Sequence, residues 1–482
     1  MARVPRYRRV RSGVAAAARV AAFEALLRIE EQRAHADDLL HAGDLDGLPA
    51  QDRDLTTALT MGVLRWQILL DAQIRRYLAR PDGKLDLPVR VALRLGALQI
   101  LRMDRIPDHA SIHDSVALCR AAGHEHASRM VNAVLRRMAS DESRGNLEQG
   151  AAVGVLDAAE LAARTAHPLW MVERWVSTFG AEQARRLCEH GQRQPETTLR
   201  LADETTAQEL IEAGCRLEPG WALRNSCRVV EGDWRGTEAW RSGRARAQDE
   251  GSQLVAELAV ASTAIDGGRI LDCCAAPGGK TMILAERNPG AQIDACEISL
   301  ARSERMRSRL ATMSTLPWAA KIQVHSADAA EWMKQEAAGA WGLVLVDAPC
   351  SGTGTLGRNP EIRHRLRPSD LPRQQERQVR LLKAAMRASS QRIVYATCSL
   401  EPEENEQVIA DALRAHTDWR PLSLEHSIRA LEKRGVITET GSQWLRMGLH
   451  ADGLLRLMTR DVPGVGVVGG DGFFMIALER AA

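Results

Sequence analysis

Lysine is nearly missing from this 482-residue chain: among 64 basic residues it occurs only at positions 84, 280, 321, 334, 383 and 433. Alanine is abundant as well, so the arginine excess reads as base composition of the coding sequence and says nothing about an RNA partner. Excess charge is missing too. A net charge of +2 excludes a chain driven onto nucleic acid or membrane by its global field. Nine cysteines include no C-x-x-C pair, only the adjacent Cys273 and Cys274, so no metal site is expected. No stretch approaches the ~18 apolar residues of a membrane helix, and no membrane association is expected. The start, "MARVPRYRRVRSG", is basic, but the following "VAAAARV" is interrupted by Arg19 and is too short for a secretion signal. It reads as a solvated tail that could also touch RNA. These absences predict a cytoplasmic protein with free, reduced thiols, acting as a monomer.

What is present is enough sequence for two or three domains. Residues 14–138 read as helix throughout. "AARVAAFEALLRIEEQ", "LTTALTMGVLRWQILLDAQIRRYL" and "VRVALRLGALQILRM" carry apolar residues at helical spacing. "DRIPDHAS" breaks the third, with Ser111 as the expected cap of the next helix. A helical bundle over 1–142 follows. Residues 143–245 predict a linker and a small α+β module, with "TTLRLA", "CRLEPG" and "CRVVEG" as short strands. From 246 to 482 the pattern becomes strand, turn, helix, repeated through "GRILDCCA", "QIDACEIS", "KIQVHSAD", "GLVLVDAP" and "RIVYATCS". That predicts a Rossmann-like, mostly parallel sheet with ligands at the carboxyl ends of its strands. The last apolar run, "DGFFMIALER", suits an antiparallel edge strand.

The loop "LDCCAAPGGKT" ends the first of these strands. A phosphate-binding loop needs glycine six residues before Lys280; that residue is Cys274. Pro277 also removes a backbone donor. "LVLVDAPCS" could pass for the magnesium-binding strand of an ATPase, but the missing glycine weighs against ATP. A turn of small residues remains, Cys274, Ala275, Ala276, Pro277, Gly278, Gly279 and Lys280, suited to close approach by an adenosine-type cofactor. Glu297, ending the second strand, is placed for the ribose hydroxyls, and Asp328, ending the third, for the adenine amino group. Either acid alone reads as a solvated cap; the two at successive strand ends favour a cofactor.

Cys350 in "DAPCSGTG" and Cys398 in "YATCSLEPEEN" follow the next two strands. One cysteine at a strand end is ordinarily packing. Two in matched turns, with Asp347 three residues from the first, suggest thiol chemistry.

"LDCCAAPGGKT", "DAPCSGTGTLGRNPEIR" and "YATCSLEPEENEQVI", with "QDEGSQ" and the terminal "DGFF", closely resemble the motifs of RNA 5-methylcytosine methyltransferases. "GVLRW", "RIPDHASIHDSVAL" and "VNAVLRR" resemble the NusB-like RNA-binding helical domain that accompanies them in the bacterial Sun/Fmu type, which acts on small-subunit ribosomal RNA. The chain departs from the pattern in Glu297, where the family often has Asp, in His364, where a Trp often follows "NPEIR", and in a longer stretch before the last strand.

The resemblance implies S-adenosylmethionine as cofactor, Asp347 and the 274–280 turn among its contacts, an RNA-recognition-like middle module and RNA as partner. It implies Cys398 as the nucleophile that adds to cytosine carbon 6 and Cys350 as the group that assists release. Asp347 would bond the cytosine edge near N3. Lys280 would hold either the Asp347 carboxylate or a substrate phosphate, and Arg358, Arg363 and Arg365 would together take RNA phosphates. Transfer RNA as substrate, and a NusB-like binding protein carrying an inactive catalytic fold, are the competing readings.

Overall fold

The computed structural model describes residues 15–31, 36–41, 45, 47–141, 157–265 and 267–481. The basic start and most of the expected linker lie outside these residues. The chain forms two compact units: residues 1–193 with 356–365, and residues 194–355 with 366–482.

The first unit is helical among its described residues. Long helices run over Ala17–Glu30, Ala50–Tyr77, Leu87–Arg102, Asp108–Ala121 and Ser128–Ser140. Their apolar faces bury Phe23, Leu26, Leu64, Leu93, Leu98 and Leu135 in one core. Gly96 lets two helices approach: a Cβ there would lie 2.5 Å from a Leu135 methyl. The expected cap at Ser111 is corrected. The helix starts at Asp108, directly after Pro107, and Ser111 lies inside it, because proline's fixed φ suits the helix entrance.

Two further differences concern boundaries. The helices Ala158–Arg164, Leu169–Phe179 and Ala181–Gln192 fall in the span assigned to the α+β module, yet they belong to the helical unit. So does residues 356–365, from the middle of the catalytic motifs. Arg65 donates to the Gly357 carbonyl at 2.8 Å, and Arg363 to the Gly191 carbonyl at 2.7 Å.

The second unit opens with a four-stranded antiparallel sheet. Its strands are β1 (Thr197–Leu201), β2 (Arg216–Pro219), β3 (Ser226–Glu231) and β4 (Ala245–Ala247), in the order β2-β3-β1-β4. Arg200, buried, ties this sheet to the helices that follow, reaching Glu257 at 2.9 Å and Glu286 at 2.8 Å.

The large sheet comprises β5 (Arg269–Asp272), β6 (Gln292–Glu297), β7 (Ile322–Ser326), β8 (Trp341–Asp347), β9 (Ser389–Thr397), β10 (Trp419–Leu422), β11 (Leu455–Leu457) and the final β14 (Phe473–Arg480); β12 (Arg460–Val462) and β13 (Gly466–Val468) form a separate two-stranded hairpin. Its order is β10-β14-β9-β8-β5-β6-β7, with β11 also on β14; β5 to β9 are mutually parallel. Successive residues go to opposite faces. Ile270, Leu343 and Val394 join one core and Leu271, Val344 and Ile393 the other. Both faces are therefore apolar, and helices cover both, as in a doubly wound fold. The last strand is antiparallel as expected but not an edge, since β10 and β11 both pair with it. The extra length before it forms the β12–β13 hairpin.

Candidate active site

Parallel strands end on one side of a sheet, so the turns after β5, β6, β7, β8 and β9 gather there. The turn after β5 is tight. Gly278 adopts φ +103°, closed to most side chains, and begins the helix Gly279–Arg287. A Cβ at Gly279 would come within 3.0 Å of the Gln248 side chain.

A cleft opens beside this turn. It is lined by Cys274, Glu297 and Asp328, three of the residues singled out in the sequence, and by Ile298, Arg302, Pro349, Arg377 and Arg380, which were not. Ala275, Ala276, Pro277, Gly278 and Gly279 shape the turn without lining the cleft. Glu297 is buried, accepts from the Ser299 N–H at 2.8 Å and faces Arg302 at 3.4 Å. Asp328 accepts from the Ala330 N–H at 2.9 Å and pairs with Arg380 at 2.7 Å. Burial pushes its carboxyl up, and the Arg380 bond outweighs that and holds it below the usual range. Ile298 is 59% exposed, an apolar face between two carboxylates. Its signal in the sequence was an isoleucine directly after the ribose-type acid; Arg380 gave none, being one of several arginines along an amphipathic helix.

Lys280 and Asp347 meet on the other side of the turn, Nζ to Oδ2 at 2.8 Å. Burial pulls the ammonium's pKa down; Asp347 outweighs it, and the value ends above that of an ordinary lysine. The Asp347 carboxylate is one of the two partners open for Lys280. Beneath them lies Asp272, which the sequence reading passed over. It is 1% exposed, accepts from Thr281 Oγ1 at 2.7 Å, and its other oxygen has no hydrogen-bond partner. Burial pushes its carboxyl up to about 7.

The two thiols come together. Cys350 Sγ lies 3.4 Å from Cys398 Sγ. The Gly354 N–H donates to the Cys398 carbonyl at 2.9 Å and the Gly472 N–H to the Gly354 carbonyl at 2.7 Å, so the two cysteine loops and the "DGFF" turn share backbone bonds. A Cβ on Gly354 would meet the Gly472 oxygen at 2.4 Å, which only glycine avoids. The contact with Cys398, then burial, pushes the Cys350 thiol well above the ordinary range.

Two of the arginines expected to take phosphates, Arg363 and Arg365, have protein partners within the helical unit. Arg363 is buried, 3% exposed, and its Nη2 is shared between the Gly191 carbonyl and His167. Arg365 donates to the Ile29 carbonyl at 2.9 Å. His364, in the position of the family's Trp, meets the Leu64 carbonyl at 2.8 Å; burial lowers its pKa, so it serves as a neutral donor. Arg363, bonded inside that core, is not available to a phosphate.

Residues 260–478 match the family model described as 16S rRNA methyltransferase RsmB/F, and residues 16–140 match the NusB family. The chain is 30% identical over 476 residues to the probable ribosomal RNA small subunit methyltransferase B of Bacillus subtilis, covering 95% of this chain and 98% of that one. It is 31% identical over 436 residues to the ribosomal RNA small subunit methyltransferase B of Pseudomonas putida, covering 88% and 95%. The crystal structure of PH0851 shares the fold with a TM-score of 0.74 at 21% identity, over 95% of this chain and 98% of that one.

Proposed function

From the premise that the chain belongs to the RsmB/F family of 16S rRNA methyltransferases, we propose that it methylates carbon 5 of a cytosine in small-subunit ribosomal RNA, using S-adenosylmethionine and a covalent Cys398–cytosine intermediate. The observation that carries the reading is the pair of thiols 3.4 Å apart at the ends of adjacent parallel strands, on the side where Lys280 and Asp347 are paired.

The cleft fits the cofactor. Glu297 offers a carboxylate to two ribose hydroxyls, Ile298 an apolar face and Asp328 an acceptor for the adenine amino group. S-adenosylmethionine supplies an electrophilic methyl group.

Carbon 5 of cytosine is a poor nucleophile. The Cys398 thiolate forms a bond to carbon 6, which makes carbon 5 enamine-like. Carbon 5 then takes the methyl group and carries it together with its original proton. Cys350 removes that proton, the electron pair re-forms the ring double bond, and Cys398 leaves as thiolate. The contact with Cys398 is the larger of the two causes that hold the Cys350 thiol protonated, and bonding Cys398 to carbon 6 removes it while burial remains, so proton removal by Cys350 is favoured after attack rather than before it. Asp347 would bond the cytosine edge near N3, carrying the proton at the step where it donates, and the Lys280 ammonium beside it would supply positive charge where negative charge builds on the ring. The reacting base must leave its stack, so the substrate is flipped or single-stranded.

The test is methylation of protein-free small-subunit ribosomal RNA and of bulk transfer RNA, with methyl-labelled S-adenosylmethionine and bisulfite mapping. One or a few 5-methylcytosines in the ribosomal RNA are expected. Methylation of transfer RNA alone replaces the substrate; no methylcytosine in either, with cofactor bound, overturns the activity.

A further inference from the structure

One buried charge beside the thiols has no part in the chemistry above. Glu404, in the turn after β9, is 0% exposed. Its Oε1 accepts from the Ser351 N–H at 2.8 Å and from Gln378 Nε2 at 3.1 Å. Its Oε2 accepts from Ser399 Oγ at 2.5 Å and from Ser351 Oγ. Ser351 follows Cys350 in the chain and Ser399 follows Cys398. A single carboxylate thus binds the residue after each thiol. Gln378 also donates to the Pro349 carbonyl at 3.0 Å, on the other side of Cys350. The turn carrying Glu404 is itself held, since Tyr395 donates to the Glu404 carbonyl at 2.6 Å.

We infer that Glu404 is a positioning residue: its carboxylate locks the Cys350 loop to the Cys398 loop, so that the base which ends the reaction stands where the nucleophile has left the substrate. The inference rests on the covalent reading above.

The two loops depend on Glu404 unequally. The Cys398 loop has a further tie of its own, from Asn405 Nδ2 to the Ser399 carbonyl at 2.9 Å, while the bond from the Leu400 N–H to Thr353 Oγ1 at 2.9 Å joins the two loops beyond Ser351. Ser351 uses both its N–H and its hydroxyl on Glu404, with Ser399 Oγ as the other contact at 3.1 Å. Removing the carboxylate therefore frees the Cys350 side first. Attack persists and proton removal suffers, because a displacement of about 1 Å can cost on the order of 100-fold in rate.

The experiment uses the full chain with protein-free small-subunit ribosomal RNA and S-adenosylmethionine, read on denaturing gels for RNA-linked protein and in turnover assays. Glu404→Ala should lower kcat by about 10- to 100-fold with little change in KM, and should accumulate an adduct that disappears when Cys398→Ala is added. Glu404→Gln keeps an acceptor for the two N–H donors and a donor for the serine hydroxyls, and should return most of the turnover. Ser351→Ala, a milder change, should accumulate adduct to a smaller extent. A purely structural role would lower melting temperature and activity together without trapping RNA. If Cys350→Ala traps RNA but Glu404→Ala and Ser351→Ala do not, the inference is overturned alone. If Cys350→Ala traps none, the covalent reading falls and the inference with it.

Discussion

The segments on either side of Thr355 make an instructive pair. Residues 347–355, "DAPCSGTGT", and residues 356–365, "LGRNPEIRHR", are contiguous, and both look like active-site loop. The first stays with the large sheet and brings Cys350 to Cys398. The second joins the helical unit, where Arg363 and His364 bond backbone carbonyls. A contiguous motif can thus divide between residues that gather at the strand ends and residues bonded inside the helical unit. What separates them is the partner each side chain has, not its charge.

The sharpest test of the first half is loss of the thiols. Cys398→Ala should reduce methylation to background and form no adduct, while Cys350→Ala should form an RNA adduct that depends on S-adenosylmethionine. An adduct in Cys398→Ala instead would reverse the two roles.

Next in size is Arg363→Ala, which tests the second half. Deleting a buried guanidinium that satisfies a carbonyl should cost about 2–3 kcal/mol of stability, seen as a lower denaturant midpoint. The salt dependence of RNA affinity should not change, because no phosphate contact is lost. A reduced salt slope at full stability would place Arg363 on the RNA and break the comparison.

Glu297→Ala should weaken S-adenosylmethionine binding in calorimetry by about 1.5–3 kcal/mol, the range for hydrogen bonds to a charged group. Unchanged affinity would remove the cleft from the cofactor's contacts.

The smallest effect concerns Asp272. Its folded pKa is raised to about 7 by burial, so the folded state binds more protons than the unfolded one at mildly acid pH. Its contribution then favours folding below the unfolded pKa and is lost as pH rises towards 7. Relative to Asp272→Asn, the wild-type protein should lose about 1–2 kcal/mol between about pH 5.5 and pH 7. Parallel stability profiles would show that Asp272 does not titrate there.

Much of this was legible before the structure. The strand-turn-helix text from 246 onward located β5 to β9, because apolar runs closed by small or polar turns are a local property. The same turns identified Cys350, Cys398, Glu297 and Asp328, because strand ends collect ligands in any such sheet. The end of the helix Leu87–Arg102 ahead of "DRIPDHAS" was readable as well. The helices of 158–192 were assigned to the α+β module rather than to the helical unit, since their amphipathic text fits either.

By itself the sequence determined the kind of sheet, the side of it on which the motif turns gather and the two cysteines at the ends of adjacent strands. All of these rest on neighbours within a few residues and on the two-residue period of a strand. Only the tertiary structure decided which partners the buried charges take. Glu404 meets Ser351 across 53 residues and Arg363 meets Gly191 across 172. No local pattern encodes pairings at that separation. They exist because the packed chain leaves a buried carboxylate or guanidinium no water to bond, so it must take whatever partner the fold places beside it.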